Sequence, residues 1–213
     1  MNAPELLFLL HGFRWTVALA AIAFVCGIPA GLAVALARTS GSQLLQKPAA
    51  SYIALFQGTP LLMQLFVAYY GLALAGLKLE AWAAVAIGFT LHASAYLGEI
   101  WRGSIEAVPR GQTEGAHALG LHYWPCIRKV ILPQAIKISL PATIGFLVQL
   151  VKGTSLAALV GFIELTQSGK IIANQIFRPL LVFAVVGALY FILCWPLSLL
   201  GTRIERRLAT ASR

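Results

Sequence analysis

WTVALAAIAFVCGIPAGLAVALA, residues 15 to 37, runs its whole length without a charged side chain. A helix rises about 1.5 Å per residue, so roughly 20 residues cross a hydrocarbon layer about 30 Å thick. The stretch is long enough to span, and it lacks the alternation of a barrel strand. Helix is then the form that satisfies every backbone N–H and C=O within the segment. The residues before it, MNAPELLFLLHGFRW, carry Glu5 and no basic residue ahead of their apolar part. They lack the charged start of a cleaved signal peptide, so this first span is expected to stay in the membrane.

The same ruler applied outward finds spans at about 14–37, 50–76, 81–101, 138–163 and 179–202. The 213 residues are 59% hydrophobic and 11% charged, with a mean hydropathy of +0.82. That composition excludes an ordinary soluble domain. The expectation is an all-α integral membrane protein of five transmembrane helices, a single membrane domain over residues 1–213.

The net charge is +9, from 16 Lys and Arg against 7 acids, all of them Glu. Such an excess can mark a nucleic-acid partner, but here the basic residues flank apolar runs, which is the pattern of membrane orientation. Arg38, Lys47, Arg102, Arg110, Arg128, Lys129, Lys137, Arg203, Arg206, Arg207 and Arg213, eleven of the 16, share one side if the N-terminus lies outside. The expected topology is N-terminus outside, C-terminus cytoplasmic, with residues 102–137 as a cytoplasmic loop and no nucleic acid bound. Within that loop, Pro125 and Pro133 suggest short helices on either side of Pro125.

Several chemistries are absent from the pattern. SGKI at 168–171 ends like a phosphate-binding loop, but Glu164 stands where the motif needs glycine and Ile171 where it needs Ser or Thr. His11, His92, His117 and His122 make no HExxH, and Cys26, Cys126 and Cys194 make no CxxC. No catalytic residue, metal site or cofactor is expected on this chain. Gly27 and Gly31 form a GxxxG, read as a site of close helix approach, with Pro29 between them. Glu99 and Arg102, three residues apart, read as an ion pair on one helix face.

GQTEGAHALG, residues 111–120, is unlike its surroundings: small residues leave the backbone nearly bare, and Glu114 is its single acid. Such a surface suits insertion of a short helix into a partner's groove. An amphipathic helix lying on the membrane, anchored by Leu119, Leu121 and Trp124, is the other reading.

EGAHALG, followed by ILP at 131–133, resembles the EAA loop of ABC importer permeases. ALFQGTPLLMQLFVAYYGL, AYLGEIWRGSIEAVPRGQ, VILPQAIKISLPA and KGTSLAALVGFIELT are similar to the permeases for polar amino acids, so the resemblance covers roughly residues 50–180. It implies a type I ABC importer permease of the bacterial inner membrane. Such a subunit pairs with a second permease, two cytoplasmic ATPases that bind ATP and Mg, and an external solute-binding protein. Residues 111–121 would then be the coupling helix. Glu114, Ala116 and Gly120 match the family motif, Gly115 departs from it by replacing an alanine, and Leu119 and Leu121 complete the coupling set.

Lys152 lies about 22 Å of helix rise beyond Lys137, well within the hydrocarbon. A charge at that depth costs about 2.5–3.5 kcal/mol on insertion scales, so it calls for a partner or a wet cavity. Gly153 beside it is read as a place where the helix opens. The expectation is that Lys152 attracts the carboxylate of an amino acid in passage, with Gln57, Thr59, Gln149, Thr154 and Ser155 as polar neighbours. The competing reading has Lys152 snorkelling, or pairing structurally with Glu164 or with a neighbouring subunit, and Glu164 itself reads as a gate contact or a solvated carboxylate. Resembling permeases often carry aspartate where Gly153 stands, so a strongly cationic cargo is disfavoured. The rival class, an ion-coupled secondary transporter, calls for intramembrane acids that the spans largely lack.

Overall fold

The computed structural model describes residues 2–211, with Arg213 outside them, and every regular element among them is helical. The first helix, α1 (Ala3–Thr39), is 37 residues long, about 55 Å at the usual rise, and therefore exceeds the membrane it crosses. It starts well ahead of the expected limit at residue 14. Asn2 donates its N–H to the Glu5 carboxylate at 2.6 Å, and a proline in the first turn gives up no needed donor. Leu9, in this added stretch, is completely buried among Leu165, Ile172, Val182 and Val186.

The second expected span is not straight. α2 (Gln43–Gln57) and α3 (Leu61–Leu74) meet at 105° across a break of three residues. Pro60 takes an extended conformation ahead of α3 and the residue before a proline is disfavoured in the helical region, so the apolar run from 50 to 76 folds at this point with Gly58 beside it. Gln64 holds the elbow together. Its amide donates to the Phe56 carbonyl at 2.7 Å, and to the Thr59 carbonyl and hydroxyl at 3.0 Å each. Its carbonyl oxygen meets His92 Nδ1 at 2.9 Å.

α4 (Ala81–Glu106) is the central helix, with Val85, Phe89, Ala93 and Leu97 fully buried. Its closest neighbour is α1, and the glycine pair explains the approach. A Cβ on Gly27 would stand 2.9 Å from Ala93 Cβ, and one on Gly31 would stand 2.9 Å from Leu97 Cβ and 3.1 Å from the Ser94 carbonyl. In a span, where water gives no drive to helix association, such backbone proximity is what dispersion rewards.

After α5 (Arg110–Ala118), the long helix α6 (Tyr123–Val160) begins earlier than expected. Of the two short helices expected on either side of Pro125, the first is α5, whereas the second is replaced by the start of the long α6: Pro125 sits in its first turn, where its missing N–H does no harm. Pro133 does not end the helix either. A π-helical turn at Ile127–Ile131 precedes it and widens the coil where the proline ring would strike the carbonyl four residues back. The segment expected as a loop over 102–137 is thus mostly helix. α6 tightens to a 3-10 helix at Thr154–Val160 and stops at Gly161, φ +82°.

α7 (Leu165–Ile176) falls where the sequence suggested only a connector, and α8 (Pro179–Ala211) closes the chain against α6 and α7.

Candidate functional site

α5 stands at one end of the bundle between α4 and α6, and its limits are set by backbone chemistry. Pro109 holds an extended conformation before its first turn. At the other end Gly120 has φ +77°, its N–H donates to the His117 carbonyl at 2.9 Å, and the Leu121 N–H donates to the Ala116 carbonyl at 3.0 Å. This pair of bonds is a Schellman ending, which needs a left-handed residue and so favours glycine. Gly120 therefore has a structural duty in the chain itself.

The expected coupling residues divide by face. Ala116 is buried and Leu121 half-buried in a small core with Val108, Cys126, Ile131 and Ala135. These two anchor α5 to its own bundle. Glu114, Gly115, Leu119 and Gly120 are exposed, Leu119 to 84%, and a Cβ on Gly115 would meet nothing within 4 Å. The outer surface is thus a bare ridge with one carboxylate at its side and one leucine at its end. Tyr123 and Trp124 extend it with further exposed rings.

The residues expected along a pathway are only partly brought together. Gln149 and Lys152 are exposed on one face of α6, where Gly145 also lies open. Ser155 donates its hydroxyl to the Lys152 carbonyl at 2.8 Å. Gln57 ends α2 and is exposed, while Thr59 turns its hydroxyl to the Leu55 carbonyl at 2.7 Å within the elbow. The elbow reaches this region because α3 starts against the end of α6: a Cβ on Gly153 would stand 3.2 Å from Leu61 Cδ2 and 3.6 Å from Phe89 Cε1. Gly153 therefore faces packed apolar side chains, and the helix after it tightens and does not unwind.

Thr154 and Glu164 lie apart from this group. Thr154 is fully buried and returns its hydroxyl to the Val151 carbonyl at 2.6 Å. Glu164, completely buried, is the N-cap of α7. Its carboxylate accepts from the Gln167 N–H at 2.8 Å, the Thr166 N–H at 2.9 Å, the Tyr190 hydroxyl at 2.9 Å and the Thr16 hydroxyl at 3.3 Å. Thr16 Oγ1 in turn accepts the Leu165 N–H at 3.1 Å, and Ser168 N–H bonds the Glu164 carbonyl at 2.9 Å. All four leading N–H groups of α7 are satisfied, two of them by one side chain. Burial pushes the Glu164 carboxyl upward from its ordinary value, with these bonds acting the other way. A pairing of Glu164 with Lys152 is replaced by this cap, and neither a gate contact nor a solvated carboxylate describes a group so enclosed.

Glu99 pairs with Arg102 at 2.6 Å as the spacing suggested, and Arg102 reaches Glu106 at 2.5 Å as well. Two participants escaped sequence reasoning. Gln64 and His92 hold the elbow to α4, and no motif singled them out. The proline at 60 was the available signal that the second span breaks.

The profile of the family described as "Binding-protein-dependent transport system inner membrane component" matches residues 27–210. The probable amino-acid ABC transporter permease protein YckA of Bacillus subtilis is 36% identical over 202 residues, covering 95% of this chain and 89% of that protein. The L-cystine transport system permease protein TcyB of the same organism is 35% identical, covering 92% and 85%. The glutamine transport system permease protein GlnP of Escherichia coli is 32% identical, covering 96% and 94%. Among solved structures, an amino acid ABC transporter crystallised with histidines superposes with a TM-score of 0.88 at 33% identity, over 97% of this chain and 99% of that one. An inward-facing MetNI methionine ABC transporter shares the fold, with a TM-score of 0.79 at 23% identity, over 97% and 99%.

Proposed function

This chain belongs to the family of binding-protein-dependent transport system inner membrane components, and we propose that it is the amino-acid permease subunit that couples to its ATPase through α5. It is a multi-pass permease of an ABC importer in the inner membrane, and ATP is hydrolysed by a separate subunit. The carrying observation is the division of α5 into a packed inner face, Ala116 with Leu121, and an exposed outer ridge, Glu114 to Leu119. A ridge locked to α4 and α6 transmits a push, whereas a helix lying loosely on the membrane does not. In this reading the N-terminus is external and the C-terminus cytoplasmic, the chain is one membrane domain, and its partners are a second permease, two ATPases holding ATP and Mg, and an external binding protein.

The passage we propose follows the open face of α6. Lys152 meets the cargo carboxylate there, with Gln149, Ser155, Gln57 and Thr59 nearby in the fold. Support for an amino acid comes from that exposed cation within the span and from relatives named for amino-acid transport. Ion-gradient coupling finds little to work with among the described spans, because Glu99 is neutralised by Arg102. In Glu114→Arg the complex assembles but substrate-stimulated ATP hydrolysis falls by at least tenfold. Normal stimulation in that variant would defeat the docking reading. Lys152→Met tests the cargo contact separately: uptake drops while basal ATP hydrolysis holds, and unchanged uptake removes Lys152 from the pathway.

A further inference from the structure

Two cavities near the α5 end of the bundle adjoin one another at a shared side chain. The first, about 230 Å³, is an apolar crevice between α1, α4 and α6, lined by Leu32, Trp101, Leu132 and Ala135 among others. The second, about 680 Å³, is polar and is walled by Arg38, Gln46, Arg110, Thr113 and His117. Ile105 lines both. The three shared helices are met in order along the bundle axis: Leu32 then Arg38 on α1, Trp101 then Ile105 on α4, Ala135 then Ile131 on α6. The polar chamber thus lies about one to two helical turns nearer the end than the apolar one.

The polar chamber carries an excess of positive charge: Glu99 lies close enough to feel Arg38, but its carboxylate is bonded to Arg102 at 2.6 Å. Arg38 and Arg110 line it, and its one acid, Glu106, is already held by Arg102 at 2.5 Å. Arg38 Nε is buried and has no hydrogen-bond partner. A buried donor of that kind costs about 1–3 kcal/mol if it stays unmet, so its site is shaped for an acceptor.

We propose that the paired cavities hold one anionic phospholipid, its phosphate at Arg38 and Arg110 and the upper part of an acyl chain against Trp101. A free phosphate would use the second chamber alone and leave the adjoining apolar crevice without an occupant. A zwitterionic lipid would fill the crevice but add no net charge to answer two arginines. Basic chambers between membrane helices are suited to acidic headgroups for the same electrostatic reason. The assignment does not depend on what α5 docks against.

Brominated lipids test it, because bromine on an acyl chain quenches a tryptophan it touches. The full chain is placed in nanodiscs of dioleoylphosphatidylcholine with increasing brominated phosphatidylglycerol or brominated phosphatidylcholine. The Trp101 share of fluorescence is obtained by difference from Trp101→Phe. The expected result is quenching of that share at a several-fold lower fraction of phosphatidylglycerol. Arg38→Gln weakens the preference about fivefold, the weight of one basic residue at an anionic surface, and Arg38→Lys keeps most of it. Ile105→Phe, which narrows the junction, lowers quenching by phosphatidylglycerol while leaving the arginines in place. Equal quenching by both lipids, unaltered in Arg38→Gln, would overturn the proposal. So would displacement of the bound lipid by millimolar glycerol phosphate, since that marks a site for a free anion only.

Discussion

Replacing Glu164 by alanine removes the acceptor for two backbone N–H groups and two hydroxyls at a point that is wholly buried. The hydroxyls keep other bonds: Tyr190 lies 3.1 Å from the Thr166 hydroxyl, and Thr16 still accepts from Leu165 although its own proton loses its acceptor. The N–H groups of Thr166 and Gln167 have none at hand. Each buried donor left unmet costs about 1–3 kcal/mol, giving roughly 2–6 kcal/mol for the pair. Removing a desolvated carboxylate returns part of this, since its burial was itself unfavourable. The net expectation is a loss of about 3 kcal/mol. For a chain of 213 residues that is a fall of roughly 6–12 °C in the melting temperature, by the scaling of about 2–4 °C per kcal/mol.

Thermal unfolding in detergent, followed by tryptophan fluorescence, measures it. Glu164→Gln should lose about half as much, because the amide oxygen can still accept one helix N–H while the amide nitrogen, itself a donor, leaves the other unmet. A second reading separates the cap from generic damage. Hydrogen exchange should rise first at the start of α7, where the unpaired amides sit, and only later in α4. A shift below about 2 °C in Glu164→Ala, or unaltered exchange at Thr166 and Gln167, would refute the assignment of Glu164 as the cap that ties α7 to α1 and α8.

Acid and packing changes give further checks. Burial raises the Glu164 carboxyl above its ordinary 4.5, so the folded state binds that proton more tightly than the unfolded chain does. The associated stability is fully present below the unfolded value and is lost as pH rises through the raised one; a melting series across that window should slope downward in the wild type and flatten in Glu164→Gln. Gly31→Val places a branched side chain where Leu97 Cβ and the Ser94 carbonyl already stand within 3.1 Å, for a loss of about 1–3 kcal/mol, seen as a lower melting temperature. Gly120→Ala, at φ +77°, should cost about 1–2 kcal/mol and speed hydrogen exchange in the last turn of α5 without disturbing the α1–α4 contact. Gln64→Leu withdraws the donors that bridge the elbow and leaves His92 Nδ1 without its partner, for about 2–4 kcal/mol by melting.

Where hydropathy decided the outcome, sequence was a good guide. The runs around α1, α4 and α8 are apolar on nearly every face because lipid and protein interior are chemically alike, so a one-dimensional count finds them. The same count misleads at residues 50–76. Hydropathy sums over composition and is blind to direction, so two short helices at 105° look the same as one long span. Only Pro60 carried the information, and its meaning depends on a partner far along the chain: Gln64 can brace the elbow because His92 of α4 stands beside it. Leu9 shows a related limit. Its neighbours in the fold lie in α7 and α8, and α7 itself is too short and too polar to register as a span.

The site residues teach a sharper lesson about charge. Glu164 and Lys152 are ionisable groups near one another in sequence, and enclosure by protein for the first and depth in the hydrocarbon for the second ask the same question: what replaces the lost water. The fold answers for Glu164 within the chain, since the start of α7, Thr16 and Tyr190 supply a full set of donors. Among the described residues no comparable set of acceptors closes around Lys152. Its side chain faces outward from α6 beside Gln149 and Gly145, and Glu164, the acid nearest in sequence, is committed to the cap. A cation left open at such depth is stable only if water, a second subunit or a passing carboxylate meets it. The distinction between a structural and a transporting charge therefore rests on whether the chain's own donors and acceptors close around the group, which spacing along a sequence does not encode.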